Sequence, residues 1–288
     1  MMGVMQPLEF VKGHGTGNDF VVVPDPDGSL ILTPELVVAL CDRRLGIGAD
    51  GVLRVVRTAA DPELAGYVGG SGAVQWFMDY RNADGSVAEM CGNGVRVFAR
   101  YLVATRLVAH DRFLVGTRSG PVPVVVTDEA VSATLAPPRV AGSGSAGNAG
   151  RQLPGIAVDC GNPHLVCQLP PELPLAELDL TVPPQVSAAQ FPAGVNVEFT
   201  EVVSGRPAGA QIRMRVYERG VGETKSCGSG ACAAAAAWRH ATGHGGVVTV
   251  DVPGGRLTVA LAGEDCVLTG PAVLVAQGTV SMAGLAYR

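Results

Sequence analysis

Two cysteines stand at the head of short, glycine-punctuated turns, Met90-Cys91-Gly92-Asn93-Gly94 and Ser226-Cys227-Gly228-Ser229-Gly230. Each turn leads into an apolar, helix-forming run, so each thiol is expected at a helix amino terminus. There the first backbone N–H groups lack helical partners and the helix dipole presents its positive end. That setting predicts a thiol pKa lowered from about 8.5 into the range of roughly 3.5–7.5. The glycines let the same N–H groups approach an anion closely. Two such helix starts facing each other would hold one carboxylate between them, with the adjacent carbon between two sulfurs. A thiolate would remove a proton from one face of that carbon and a thiol would return one to the other, inverting the centre. The competing reading is two buried structural cysteines, and the matched occurrence of the turns argues against it.

The elements around the cysteines repeat. A strand-like stretch from Gln75 to Tyr80 precedes Cys91, and another from Gln211 to Tyr217 precedes Cys227. The second alternates Ile212, Met214 and Val216 with Arg213, Arg215 and Tyr217. Helices are predicted over Val95–Val103 and through the alanines 233 to 237, with Gly243 as the stop of the second. Strand-turn-strand patterns follow at Phe113–Arg118, Val122–Val126 and Val131–Leu135, and again at Val247–Val252, Arg256–Leu261 and Cys266–Thr269. The repeat is one of architecture, not a short-period solenoid. The Pro-, Gly-, Ser- and Ala-rich stretch Ala136–Gly155 reads as a linker, giving an N-terminal domain over 1–136 and a C-terminal domain over 153–271. Thr58–Gly72 reads as a surface insertion, and Ala272–Ala276 as a further strand.

Composition narrows the classes. With 288 residues the chain can bury a core in each of two domains. No apolar run reaches the roughly 18 residues of a membrane span, and no basic-then-apolar leader marks a secretory signal. A net charge of −5 without a basic patch argues against a nucleic-acid partner. Seven irregularly spaced cysteines do not form a disulfide framework and point to a reducing, cytoplasmic setting. Cys41, Cys160, Cys167, Cys232 and Cys266 read as packing residues, and no paired CxxC pattern marks a metal site. His14 is expected to bond within its own Gly-rich turn, and His240 and His244 to flank a helix end. Neither lysine, Lys12 or Lys225, sits in a context that implies a pyridoxal Schiff base.

Taken together, several segments resemble the diaminopimelate epimerase family. They are His14-Gly15-Thr16-Gly17-Asn18-Asp19-Phe20, Arg81-Asn82-Ala83-Asp84-Gly85-Ser86, Cys91-Gly92-Asn93-Gly94 and Gly161-Asn162-Pro163-His164. Gly194-Val195-Asn196-Val197, Glu218 to Thr224 and Cys227-Gly228-Ser229-Gly230 continue the series in family order. The resemblance implies cofactor-independent interconversion of LL- and meso-diaminopimelate, an isomerase step toward lysine and peptidoglycan, with no metal. It implies Cys91 and Cys227 as acid/base catalysts, with His164 and Glu218 as the pair that sets their protonation. Gly92, Asn93, Gly228 and Ser229 would hold the reacting carboxylate, and Asn18, Asn82, Asn162, Asn196 and Arg219 would read the far end of the substrate.

The implied fold is α+β: two pseudosymmetric domains, each a curved mixed β-sheet wrapped around a central α-helix, with the active site in the cleft between them. Residues 272–288 would complete the first domain, and a homodimer is implied. Gly51 stands where many members carry Gln, and Ser229 where Thr is common. The alternatives are a pyridoxal-independent proline- or hydroxyproline-type racemase with the same two-cysteine chemistry, or a non-catalytic relative. The amide-rich distal set argues against the first and retention of Cys91, Cys227, His164 and Glu218 against the second.

Overall fold

In the computed structural model, residues 7–69, 72–148, 150–282 and 284–285 are described. The chain forms two compact units, residues 1–133 with 271–288, and residues 134–270.

In the first unit, strand Val273–Val280 pairs antiparallel with Leu8–Gly15, and Leu8–Gly15 with Asn18–Pro24. A parallel step leads to Gly51–Arg57, an antiparallel one to Trp76–Asn82, and a second parallel step to Arg112–Thr117. Two antiparallel steps to Gly120–Val126 and Val131–Leu135 close the series. The second parallel step requires a crossover, and the helix Gly92–Ala104 provides it. That helix touches Val273–Val280 at one end of the series and Gly120–Val126, next to last at the other, so the sheet curls around it.

The second unit repeats this sequence of steps. Arg139–Asn148, Arg151–Asp159 and Pro163–Gln168 are antiparallel neighbours. A parallel step leads to Asn196–Arg206, an antiparallel one to Gly209–Glu218, and a parallel one to Val247–Val252. Antiparallel steps to Gly255–Ala262 and Asp265–Gly270 finish it. The crossover helix is Gly228–Thr242, ended by Gly243 in the left-handed conformation at φ 69°. Its alanines 233 to 237 are buried. Small side chains on so many faces let the surrounding strands close on a helix that has little exposed side.

Two sequence expectations fail here. The stretch 136–155 is not a linker, because Arg139–Asn148 and Arg151–Asp159 form a hairpin that supplies the first strands of the second unit. The leading half of Arg139–Asn148 is exposed and bulged near Gly142, so it carries no apolar alternation to read. The segment 58–72 is not a loop insertion either. It holds a single-turn 3-10 helix Thr58–Ala60 and a short helix Pro62–Gly66, and it buries Leu64 and Val68 against Val56, Val74 and Phe77. Gly70 and Ser71 of that segment lie outside the described residues. The final strand runs further than its apolar core suggested, over Val273–Val280.

Gly51 begins the strand that lies beside Asn82. A Cβ there would stand 2.5 Å from the Arg81 carbonyl oxygen and 2.7 Å from the Tyr80 ring. Residue 51 therefore has no room for a side chain in this protein. Gly51→Ala should force the strands apart and cost about 1–3 kcal/mol, read as a lower urea midpoint at unchanged m-value; an unaltered midpoint would show that the backbone yields freely.

Candidate active site

Both cysteines occupy helix N-cap positions with extended backbones, Cys91 at φ −139°, ψ 119° and Cys227 at φ −118°, ψ 118°. Each sulfur accepts the backbone N–H three residues on, from Gly94 and Gly230, at 3.3 Å in both cases. A thiol thus does the capping task that Ser, Thr, Asp or Asn usually performs.

Topology decides what accompanies each thiol. Where two parallel strands start side by side and an antiparallel third ends beside them, both starts and that end lie along one rim of the sheet. In the second unit the rim gathers His164, Asn196 and Glu218, since His164 stands beside Asn196 and Val197 beside Tyr217. In the first unit the corresponding positions are Phe20, Gly51 and Asn82. Cys91 follows Asn82 by nine residues and Cys227 follows Glu218 by nine, so each chain segment climbs from this rim into its central helix.

Around Cys91 the partners are amides. The thiol donates to Asn18 Oδ1 at 3.8 Å, and Asn93 Nδ2 donates to the same oxygen at 3.1 Å. The Asn18 amide is oriented by Asp50, whose Oδ2 accepts from Nδ2 at 2.7 Å. Arg43 in turn bridges Asp50 and Asp19, each at 2.7 Å. Burial would raise the Asp19 carboxyl, but Arg43 and Lys12 hold it well below the usual carboxylate range. Arg96, fully buried in the helix, donates to the Gly92 carbonyl and to Asn93 Oδ1, both at 2.9 Å, and so fixes the first turn. Asn82 bonds the Ser86 hydroxyl at 3.0 Å.

Around Cys227 the partners are acids. The thiol lies 3.4 Å from Ser229 Oγ. Burial pushes it well above its ordinary value, and the charges of Glu218 and Glu198 push it further, outweighing the bonds from Ser229 and Gly230. The expected lowering of this thiol is therefore corrected: a helix terminus does not compensate for loss of water and two nearby carboxylates. Glu218 is itself raised by burial, opposed by bonds from Thr224 and from the Cys227 thiol. A half-buried carboxyl of raised pKa bonded to a thiol is equipped to take that thiol's proton.

His164 does not pair with Glu218. Its Nδ1 lies 2.7 Å from Glu198 Oε1, and its Nε2 lies 3.0 Å from Asn162 Oδ1. Asn196 is occupied by backbone, accepting from the Arg219 N–H at 2.9 Å and donating to the Pro163 carbonyl at 3.3 Å. It thereby positions Arg219, whose Nη1 donates to the Ala193 carbonyl at 3.0 Å. Glu198 escaped the sequence reading, although an ionisable residue between Val197 and Phe199 is the signal that would have found it. Cys41, Cys167, Cys232 and Cys266 are buried as packing residues, whereas Cys160 is half-buried and donates to the Ser229 carbonyl at 3.5 Å. His14 accepts from the Gly17 N–H at 3.4 Å inside its turn.

The family model described as diaminopimelate epimerase matches residues 10–139 and 156–275. The chain is 53% identical to the diaminopimelate epimerase of Thermobifida fusca, covering 96% of this chain and 100% of that one. It is 48% identical to that of Acidothermus cellulolyticus, covering 98% of each. Among solved structures, a Bacillus anthracis phenazine biosynthesis protein of the PhzF family superposes with a TM-score of 0.70 at 15% identity, covering 96% of this chain and 99% of that one. A hydroxyproline epimerase from Agrobacterium vitis superposes with a TM-score of 0.64 at 17% identity, covering 96% and 93%. These distant structures share the fold, whereas sequence identity near one half along nearly the whole length places the chain in the diaminopimelate epimerase family.

Proposed function

We propose that this protein interconverts LL- and meso-diaminopimelate by two-base proton transfer at one α-carbon, with Cys91 and Cys227 as the acid/base pair. The observation that carries the reading is the matched pair of cysteine N-caps, each leading a glycine-rich first turn. In a chain of this family, such turns suit a substrate carboxylate and the negative charge that develops on it as the α-proton leaves. Loss of one such donor typically costs about 2.7–4 kcal/mol of barrier. Glu218 takes the proton of Cys227 to make the thiolate, and Asn18 accepts the hydrogen of Cys91 while that residue is a thiol. Asn82 and Arg219 reach the distal amino-acid group, where an Arg fork and an amide suit a carboxylate and an ammonium. Asn162 sits against His164 and acts with it, and Asn196 acts by placing Arg219. A cytoplasmic homodimer belongs to the same reading.

Proton NMR of LL-diaminopimelate with the reduced protein in D2O, without added cofactor, should show loss of one α-proton signal as the meso isomer appears. Cys91→Ala and Cys227→Ala should each lose at least a thousandfold in turnover, since either direction needs one acid and one base. A Cys227→Ala protein that keeps most of its turnover would sink the two-thiol mechanism.

The raised Cys227 thiol gives a second expectation. Peptide-resolved alkylation by iodoacetamide should be slow at Cys227 near neutral pH and rise only in alkaline solution. Glu218→Gln removes a negative neighbour, favours the thiolate and should move that rise to lower pH. A shift toward higher pH would contradict the electrostatic assignment.

A further inference from the structure

The strand Asn196–Arg206 carries an acid into the interior. Glu198 is fully buried, as are its neighbours Val197 and Phe199. One oxygen, Oε1, meets His164 Nδ1 at 2.7 Å, while Oε2 has no hydrogen-bond partner among the described residues. Burying an incompletely bonded carboxylate is unfavourable by several kcal/mol. The fold does not require it. The pseudosymmetric place of Glu198 in the first unit holds Leu53, two residues past Gly51 as Glu198 is two past Asn196. The place of His164 holds Phe20. Phe20 and Leu53 fill their positions as ordinary core residues, both fully buried.

Contact with the helix follows the same equivalence. A Cβ on Gly94 would lie 3.3 Å from Leu53 Cδ2, and a Cβ on Gly230 would lie 2.7 Å from Glu198 Oε1. The Glu198 carboxylate therefore reaches beneath the first turn that carries Cys227 only because residue 230 has no side chain. A helix start is a favourable place for a negative charge.

We propose that Glu198 is a positioning residue for the epimerisation: it holds the His164 ring by Nδ1, fixing its tautomer and leaving Nε2, 3.0 Å from Asn162, as the nitrogen that exchanges a proton with the site. This rests on reading the site as that of an amino-acid epimerase. Carboxylate-to-imidazole bonds set which ring nitrogen is free. The titratable groups facing the carboxylate are His164 and Cys167 on one neighbouring strand and Glu218 on the other, with Cys160 before that sheet edge and Cys227 at the helix start. Beyond burial, the Glu198 charge pushes both Cys160 and Cys167 upward, so both are held as thiols.

Two-bond proton–nitrogen spectra of the free enzyme labelled at histidine test this directly, with His164 assigned by the signal lost in His164→Gln. At neutral pH wild-type Nδ1 should carry a proton. In Glu198→Gln the tautomers should redistribute, with kcat down at least tenfold and KM changed less than threefold. Glu198→Asp, which keeps the charge on a shorter arm, should fall between. A wild-type Nδ1 without a proton overturns the proposal, even should no variant fold. So does a folded Glu198→Gln enzyme with wild-type kcat. The spectra need no substrate, so a protein inactive on diaminopimelate would refute the substrate reading while leaving the tautomer result to stand or fall separately.

Discussion

Enclosing a helix in a curled sheet leaves its amino end as the place where backbone N–H groups still need acceptors. Everything at this site depends on how that need is met. At both helix starts a cap side chain supplies one such acceptor. A cysteine N-cap meets the need with a polarisable sulfur, 3.3 Å from the third N–H in both units. It thereby fixes a thiol at the start of the central helix in each unit. The other features follow from enclosure. Alanines line the second helix because strands approach it from several sides, and glycines 94 and 230 follow the caps because Leu53 and Glu198 press against the first turns.

Which effect governs the Cys227 thiol is a question of magnitude. Charge–dipole stabilisation at a helix start is typically 0.3–1 kcal/mol and reaches about 2 kcal/mol in favourable partly buried geometry. The effective penalty for a buried ion is several kcal/mol, and a like charge about 4 Å away adds roughly 4 kcal/mol at an effective dielectric constant of 20. Cys227 is buried with Glu218 and Glu198 close by, so the dipole loses and the thiol is held protonated. A helix start lowers a thiol pKa where water or cations are also at hand, and the residues around a motif decide whether it does.

That limit also marks how much was legible in the sequence. The strands and helices flanking Cys91 and Cys227 were legible because they alternate or repeat within a few residues, and Val131–Leu135 and Val247–Val252 coincide with the observed strands. The hairpin over 139–159 was not, because an exposed, bulged strand that pairs through its backbone needs no apolar pattern. Leu64 and Val68 were hidden by surrounding polar and small residues, although both complete a core. The candidate site was legible as residues but not as pairings. His164 and Glu218 stand on the same rim, yet the partner of His164 comes from the strand between them, at Glu198. Register, which one sequence does not display, decides that.

The symmetry of the fold and the asymmetry of its chemistry then fit together. Identical strand steps place a capped thiol at equivalent points of both units, as a reaction with two mirror-related directions calls for. Identical surroundings would give both thiols the same protonation state, and two thiols or two thiolates cannot both abstract and return a proton. The substitutions at equivalent positions remove that degeneracy: Asn82 against Glu218, Phe20 against His164, Leu53 against Glu198. Each exchanges a neutral residue of the first unit for an ionisable one of the second. In the proposed reaction the common backbone therefore supplies geometry, and Glu218 and Glu198, which have no acidic counterpart in the first unit, hold the proton on Cys227 and so set which sulfur acts as acid.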